Sequence, residues 1–459
     1  MEEIQLSAAA LFHAEQSQDL RDLIAEKLEQ LQHYDVLAMD RVVAICFLGK
    51  SGSLLLASYL DGHADVMTLP ALCGMDLYKF FERYQCLSLR DKLIGYPAHA
   101  QRYAPFFEGD FAISPAQYYA AAQAIVEFYA EWPPEFLASR GAFFLFVHIA
   151  YNMALGRPAS SRPLIVYAQH QWDNGLARLL VEDFPQAKFV HTIRDPITLC
   201  GQILAERLLP SEPSQKPSEI PPSVNTRAEL PEAQSPFRTA ATLSMAAFQK
   251  LADLLRGRRV QVLSPIHGDR PHFGMESRTL AIRFEELHDD TEETMRDLCD
   301  WLGLSYQATL LESTFNGIPW VVTRDGKTWS GRRPEQPRRN SRYISLKDRG
   351  LLFALFYENF VAWNYPCPKI FRHAVVRGIV FAALLVFPMK IEIMAAQALF
   401  RNRILPALRH GNVSVAINSL RQIVFYRLAI ILQFALEFVS RFAHGKTLLA
   451  LGHGRAPAK

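Results

Sequence analysis

The chain has 459 residues, half of them hydrophobic and 21% charged, with a formal net charge of +3. That length and balance exclude a disordered polymer and leave room for one large domain with appendages or for two domains. Six cysteines, at 46, 73, 86, 200, 299 and 367, form no CxxC pair, which argues against a zinc site or a disulfide framework and for a reducing compartment.

The N-terminal stretch MEEIQLSAAALFHAEQ is acidic and lacks a basic segment followed by an apolar core, so no signal peptide is expected. Leu20, Leu23, Ile24, Leu28 and Leu31 recur at helical spacing, and residues 1–40 read as a helical segment covering the main domain. Next comes AICFLGKSGSLLLASYLDGH, residues 44–63: an apolar run, a break at Gly49, a lysine and two serines around Gly52, then a helical stretch. A strand that feeds a glycine turn into a helix aims backbone N–H groups and the helix dipole at one point, where an anion is stabilised. Lys50 adds a mobile charge, Gly52 permits close backbone approach, and Ser51 and Ser53 offer hydroxyls. The Walker pattern is incomplete, because Ala44 stands where its first glycine belongs. A tight turn with no ligand is the competing reading of the loop alone.

Further apolar runs follow at 164–168, 187–193 and 278–284, with helical patterns at 174–183 and 291–302. Unbroken apolar strands alternating with helices predict an α/β fold with a parallel central sheet covered on both faces. FPQAKFVHTIRDPITLCGQIL, residues 184–204, puts Arg194 at a strand's carboxyl end, where open α/β sheets bind ligands. Residues 210–236 are rich in Pro, Ser and Glu and read as a long surface loop. Residues 324–349 hold nine basic and three acidic residues, a basic loop. Its aromatics Trp329 and Tyr343 define no stacking platform, so nucleic acid is not an expected partner.

Residues 371–459 differ in character. They carry twelve Lys or Arg against two Asp or Glu, a balance of +10 that leaves −7 for the rest of the chain. The apolar stretches 374–400 and 423–440 are interrupted by Pro388, Lys390 and Glu392 and by Arg427 and Glu437, so neither is a clean membrane span. Arg401, Arg403, Arg409, Arg421, Arg441 and Lys446 surround them. Apolar helices with a basic rim suit the surface of an anionic membrane, here its cytoplasmic face. The alternative is a helical subdomain packed on itself, on the main domain or in a homodimer.

Three ordered stretches, 50–54, 184–196 and 282–304, together resemble the sulfotransferases that use 3′-phosphoadenosine-5′-phosphosulfate, over about residues 41–366. Lys50-Ser51-Gly52-Ser53-Leu54 is similar to that family's phosphosulfate loop, 184–196 to its strand ending in Arg-Asp-Pro, and 282–304 to its third element. LDGHADV at 60–66 is similar to the stretch that follows the loop in many members. The resemblance implies a P-loop kinase-like sulfotransferase domain over 41–370, with 371–459 as a helical appendage. It also implies a sulfuryl donor bound by Gly49, Lys50, Ser51, Gly52, Ser53 and Leu54, without a metal. Lys50 would face the leaving oxygen, and Arg194 the 3′-phosphate. Arg332 and Arg333 would fold over that phosphate, with Arg338 and Arg339 competing for the role. Leu54 replaces a threonine of the family, Gln202 a serine that helps hold the 3′-phosphate, and Phe284 a tyrosine. His170, after the strand preceding Arg194, is the expected base for a hydroxyl or amine acceptor; His63, His148 and His191 rank lower. Other members use a glutamate after the loop helix, a region that here offers Pro70 and, farther on, Asp76. Two other readings stay open. One is a P-loop kinase or NTPase. The other is a non-catalytic, membrane-bound binding or scaffolding module of the same fold, to which Leu54, Gln202 and the missing glutamate point.

Overall fold

The computed structural model of the protein describes residues 18–47, 51–69, 74, 76–100, 106–107, 109, 111–157, 162–170, 174–199, 201, 278–324, 327–331 and 344–443. In chain order these form α1 (Gln18–Leu31), β1 (Val42–Phe47), α2 (Ser53–Leu60), β2 (Val66–Thr68), α3 (Leu77–Arg83), α4 (Leu89–Ala100), α5 (Pro115–Phe128), α6 (Pro134–Leu137), α7 (Arg140–Ala154), β3 (Leu164–His170), α8 (Asn174–Asp183) and β4 (Lys188–Ile193). They continue with β5 (Thr279–Arg283), α9 (Glu286–Asp289), α10 (Thr291–Leu302), the hairpins β6–β7 (Thr314–Phe315, Ile318–Pro319) and β8–β9 (Val321–Arg324, Lys327–Ser330), and α11 (Leu346–Ala362). The tail supplies α12 (Ala374–Val386), α13 (Lys390–Leu399), α14 (Leu405–Arg409) and α15 (Val413–Ala443).

The centre is a five-stranded sheet in the order β2-β3-β1-β4-β5, with every pairing parallel. Its strands alternate between two apolar layers, as a period of two requires. Ala44, Cys46, Ile165, Tyr167 and Phe189 face an aromatic-rich layer built by α1, α3, α4, α5 and α7. Val43, Ile45, Val166, Val190 and Ile282 face α2 and α10. Both faces are covered, which explains why the strands read as continuous apolar runs. Farther along, Ile193 and Ala281 pack on α11.

Charged groups close the elements at the amino end of the sheet. The Arg41 guanidinium donates to the carbonyls of Leu302 and Gly303, at 3.3 and 2.8 Å, capping the C-terminus of α10. Lys27 of α1 is buried and donates to Met153 O at the end of α7 (3.1 Å). At the end of α2, the buried Asp61 carboxylate accepts from Arg157 (3.0 and 3.1 Å), the Thr314 hydroxyl (2.9 Å) and the Gly317 N–H (3.0 Å). His63 accepts from the Asp65 N–H and bonds the Ser305 carbonyl, so it holds its turn in place.

The tail helices dock on α11. Arg377 pairs with Glu358 (2.8 Å), and Asp348, which also closes the capping box of α11, accepts from the Lys390 N–H (3.0 Å) at the start of α13. The apolar stretch 374–400 breaks between α12 and α13, at Phe387–Met389 around Pro388. Among the described residues, no helix is long and apolar enough to cross a membrane.

Candidate active site

After β1 the chain connects towards β2, and after β4 it connects towards β5 on the opposite side. The carboxyl ends of β1 and β4 therefore flank a topological switch point, the crevice where open α/β sheets bind ligands. Ser51 and Gly52, which follow β1, and Arg194, which follows β4, lie there.

Ser51 and Gly52 lead directly into α2, whose first residue is Ser53. Gly52 has φ of +95°, a left-handed conformation that costs L side chains energy. A Cβ on Gly52 would also stand 2.4 Å from Cδ2 of Phe284. Glycine is thus required here twice, by its backbone and by its neighbour. Leu54, in the first turn of α2, is partly exposed and continues the apolar helix.

The loop hydroxyls are buried and joined to β4. Ser51 Oγ lies 2.8 Å and Ser53 Oγ 3.0 Å from Thr192 Oγ1, and the two serines stand 3.4 Å apart. Thr192 was not among the residues that the sequence singled out. The signal was present nonetheless: Val190, Thr192 and Arg194 alternate along β4, so the threonine shares a row with the arginine.

Arg194 is only 2% exposed. Its guanidinium carbon sits 4.4 Å from the centroid of the Phe284 ring, a cation–π contact in a desolvated place. The Phe284 ring fills the space beside Gly52 and carries Arg194. One aromatic side chain couples the loop to the arginine.

The turn after Arg194 is held independently. Asp195 accepts from the Ile197 N–H (3.0 Å) and the Thr198 hydroxyl (2.9 Å), which starts the helical turn at 196–199. The Asp195 N–H donates to Glu285 (3.1 Å), and Tyr365 donates its hydroxyl to the same carboxylate. Burial pushes the Glu285 carboxyl above its ordinary range, partly countered by those two hydrogen bonds. Burial likewise raises the Tyr365 phenol, with the neighbouring Glu285 charge adding to the effect.

His170 ends β3, and its register partner is Phe47 at the end of β1, so its backbone lies at the same edge of the sheet as the loop. His148 is a buried helix residue that bonds the Phe144 carbonyl through Nδ1 (2.8 Å), and burial lowers its pKa to about 4. His191 is buried within β4, and Asp76 directly precedes α3, without a capping hydrogen bond from its side chain. Gly49, Lys50, Gln202, Arg332, Arg333, Arg338, Arg339 and the loop expected at 210–236 lie outside the described residues. Among the described residues, no group of three or more His, Cys, Asp or Glu is placed to hold a metal ion.

Buried hydroxyls, a glycine cradle, a helix N-terminus and a desolvated guanidinium form a donor set suited to phosphate and sulfate oxygens. No protein-family model matches the chain, and no curated protein matches it. Solved structures similar to it in fold include three described as sulfotransferases or sulfotransferase domains. The sulfotransferase domain from the Synechococcus PCC 7002 olefin synthase is 18% identical, with a TM-score of 0.38 over 71% of this chain and 95% of that one. The sulfotransferase domain from the curacin biosynthetic pathway is 15% identical, with a TM-score of 0.29 over 75% and 97% of the two chains. A sulfotransferase from Mycobacterium avium is 12% identical, with a TM-score of 0.31 over 76% and 85%.

Proposed function

We propose that the protein is a sulfotransferase that uses 3′-phosphoadenosine-5′-phosphosulfate and sulfates a hydroxyl or amine. The observation that carries this reading is the Gly52–Phe284–Arg194 stack, which joins the loop after β1 to a buried arginine after β4. When bound, the donor supplies a sulfuryl group on a phosphosulfate anhydride, and its transfer leaves adenosine 3′,5′-bisphosphate.

The chain's own residues then divide the work. Gly52 permits the turn, and the N–H groups from Gly49 to Leu54 with the Ser51 and Ser53 hydroxyls hold the phosphosulfate. Thr192, bonded to both serine hydroxyls, donates to one and accepts from the other, which holds both oxygens in place and leaves one serine proton to turn outward. Lys50 offers its ammonium to the charge that develops on the leaving oxygen. Arg194 pairs with the 3′-phosphate, an exchange that favours a buried guanidinium because a dianion replaces lost hydration. Gln202, Arg332 and Arg333 complete the grip on that phosphate, and Phe284 fixes Arg194. His170 takes the acceptor's proton. No metal enters this scheme. We place the protein in the cytoplasm, where its cysteines stay reduced, with its acceptor presented at a membrane.

Titration calorimetry with adenosine 3′,5′-bisphosphate and, separately, with magnesium ATP tests the donor. Binding of the bisphosphate is expected, and Lys50→Ala should abolish transfer while keeping much of that affinity. Binding of magnesium ATP without the bisphosphate would overturn the reading in favour of a kinase or NTPase.

A further inference from the structure

We infer that the face built by α13, α14 and the first half of α15 docks on an anionic lipid bilayer. α15 carries two stripes. Ala416 and Ser419 are buried, and Ala416 packs with Ile404 and Ala407, so this stripe holds the helix to the protein. The other stripe is Val413, Ile417, Leu420, Val424 and Leu428, at the three- and four-residue spacing of a single helix face. Each of these five is between 46% and 60% exposed. The sixteen residues from Val413 to Leu428 make this stripe about 22 Å long. It continues into an apolar groove of about 470 Å³, where Val424 and Leu428 meet Ile393, Ala396 and Leu399 of α13.

The surroundings choose the occupant. Arg421 lines the stripe itself, and Arg401, Arg403 and Arg409 are exposed on the segments packed beside it. The tail has two carboxylates in all, and one of them, Glu392, is already bonded to Arg427 (2.7 Å). A second copy laid stripe to stripe would bring arginines together with almost nothing to neutralise them. Lipid phosphates supply the missing charge, and the acyl boundary takes the stripe. A helix with one side held to the protein lies along the surface. α11, on which the tail packs, shares its apolar cluster with Ile193 and Ile197 on either side of Arg194. The docked face and the candidate site are thus joined through a single helix. The purpose of docking rests on a membrane-presented acceptor; the docking chemistry does not.

The test is co-sedimentation of the full-length protein with vesicles of phosphatidylcholine alone or with added phosphatidylserine, without any nucleotide. Binding is expected only with phosphatidylserine and should weaken as salt rises. The variant Arg401→Ala, Arg403→Ala, Arg421→Ala should partition on the order of a hundredfold less, and Ile417→Ser with Leu420→Ser should also bind less. Equal binding to neutral vesicles, or none at low salt, would refute the inference. So would light scattering that finds a dimer which the Ile417→Ser, Leu420→Ser variant breaks. The same variants should bind adenosine 3′,5′-bisphosphate as the parent does, so loss of lipid binding leaves the sulfotransferase reading standing.

Discussion

Replacing Gly52 by alanine tests the coupling of loop and arginine directly. At φ of +95° the new methyl costs about 1–2 kcal/mol in backbone strain. Its position 2.4 Å from Phe284 Cδ2 adds an overpacking cost of roughly 1–3 kcal/mol, because the ring is 6% exposed and has little room to move. Lower chain entropy in the unfolded state offsets about 0.4–1 kcal/mol, which leaves a net loss of about 2–4 kcal/mol. Phe284→Ala alone should cost about 3–5 kcal/mol. The informative variant is the double one. Without the ring the methyl has space, so the double mutant should be more stable than the sum of the singles by about 1–3 kcal/mol. Urea unfolding measures all four proteins, and bisphosphate titration reports whether Arg194 has lost its platform. Strict additivity in the cycle would show that the ring does not restrict Gly52, and the stack would lose its claim to organise the site.

Two further outcomes follow from buried and half-buried titratable groups. His148 is held neutral, with its pKa lowered to about 4 from an unfolded value near 6.5, so the unfolded chain binds more protons between those limits. Stability is therefore lost as pH falls through that window. His148→Gln should reduce the drop between pH 7 and pH 5 by about 2 kcal/mol in urea unfolding, and an unchanged drop would contradict the assignment. In the tail, burial raises the Glu392 carboxyl despite its bonds to Arg427. Arg427→Met should destabilise by about 3 kcal/mol, whereas Glu392→Met with Arg427→Met should stay within about 1 kcal/mol of the parent. Equal losses in the single and double variants, measured by urea unfolding, would count against a buried pair.

The sheet was legible where the chain repeats a simple pattern. β1, β3, β4 and β5 are short apolar runs bounded by turns, and their burial on both faces removed any polar alternation. β2 was missed because Val66–Thr68 is three residues long, too short to show a period. α7 was missed for the opposite reason. Nearly every residue from Ala142 to Met153 is buried, so the helix has no polar face to reveal it. At the site, Gly52 and Arg194 could be read from local motifs. The Glu285–Tyr365 bond could not, since its partners are 80 positions apart and neither belongs to a spacing rule. The role of Phe284 was hidden in the same way, because the sequence records a missing hydroxyl but not a ring's neighbours.

The β4–β5 ladder has a kinetic side. Ile193 and Thr279, which bound the two strands, are separated by 85 residues of chain. Loop-closure entropy grows only logarithmically, by about 0.6 kcal/mol per doubling, so such an interval adds little to the cost of the finished fold. It weighs more on the rate of assembly, because pairings distant in the chain form slowly. β5 delivers Phe284, and with it the support for Arg194 and the filling of the space at Gly52. A chain that has aligned β1, β3 and β4 without β5 still lacks the support of its candidate site. Length inserted between β4 and β5 would thus slow the appearance of a competent site far more than it would loosen the completed one.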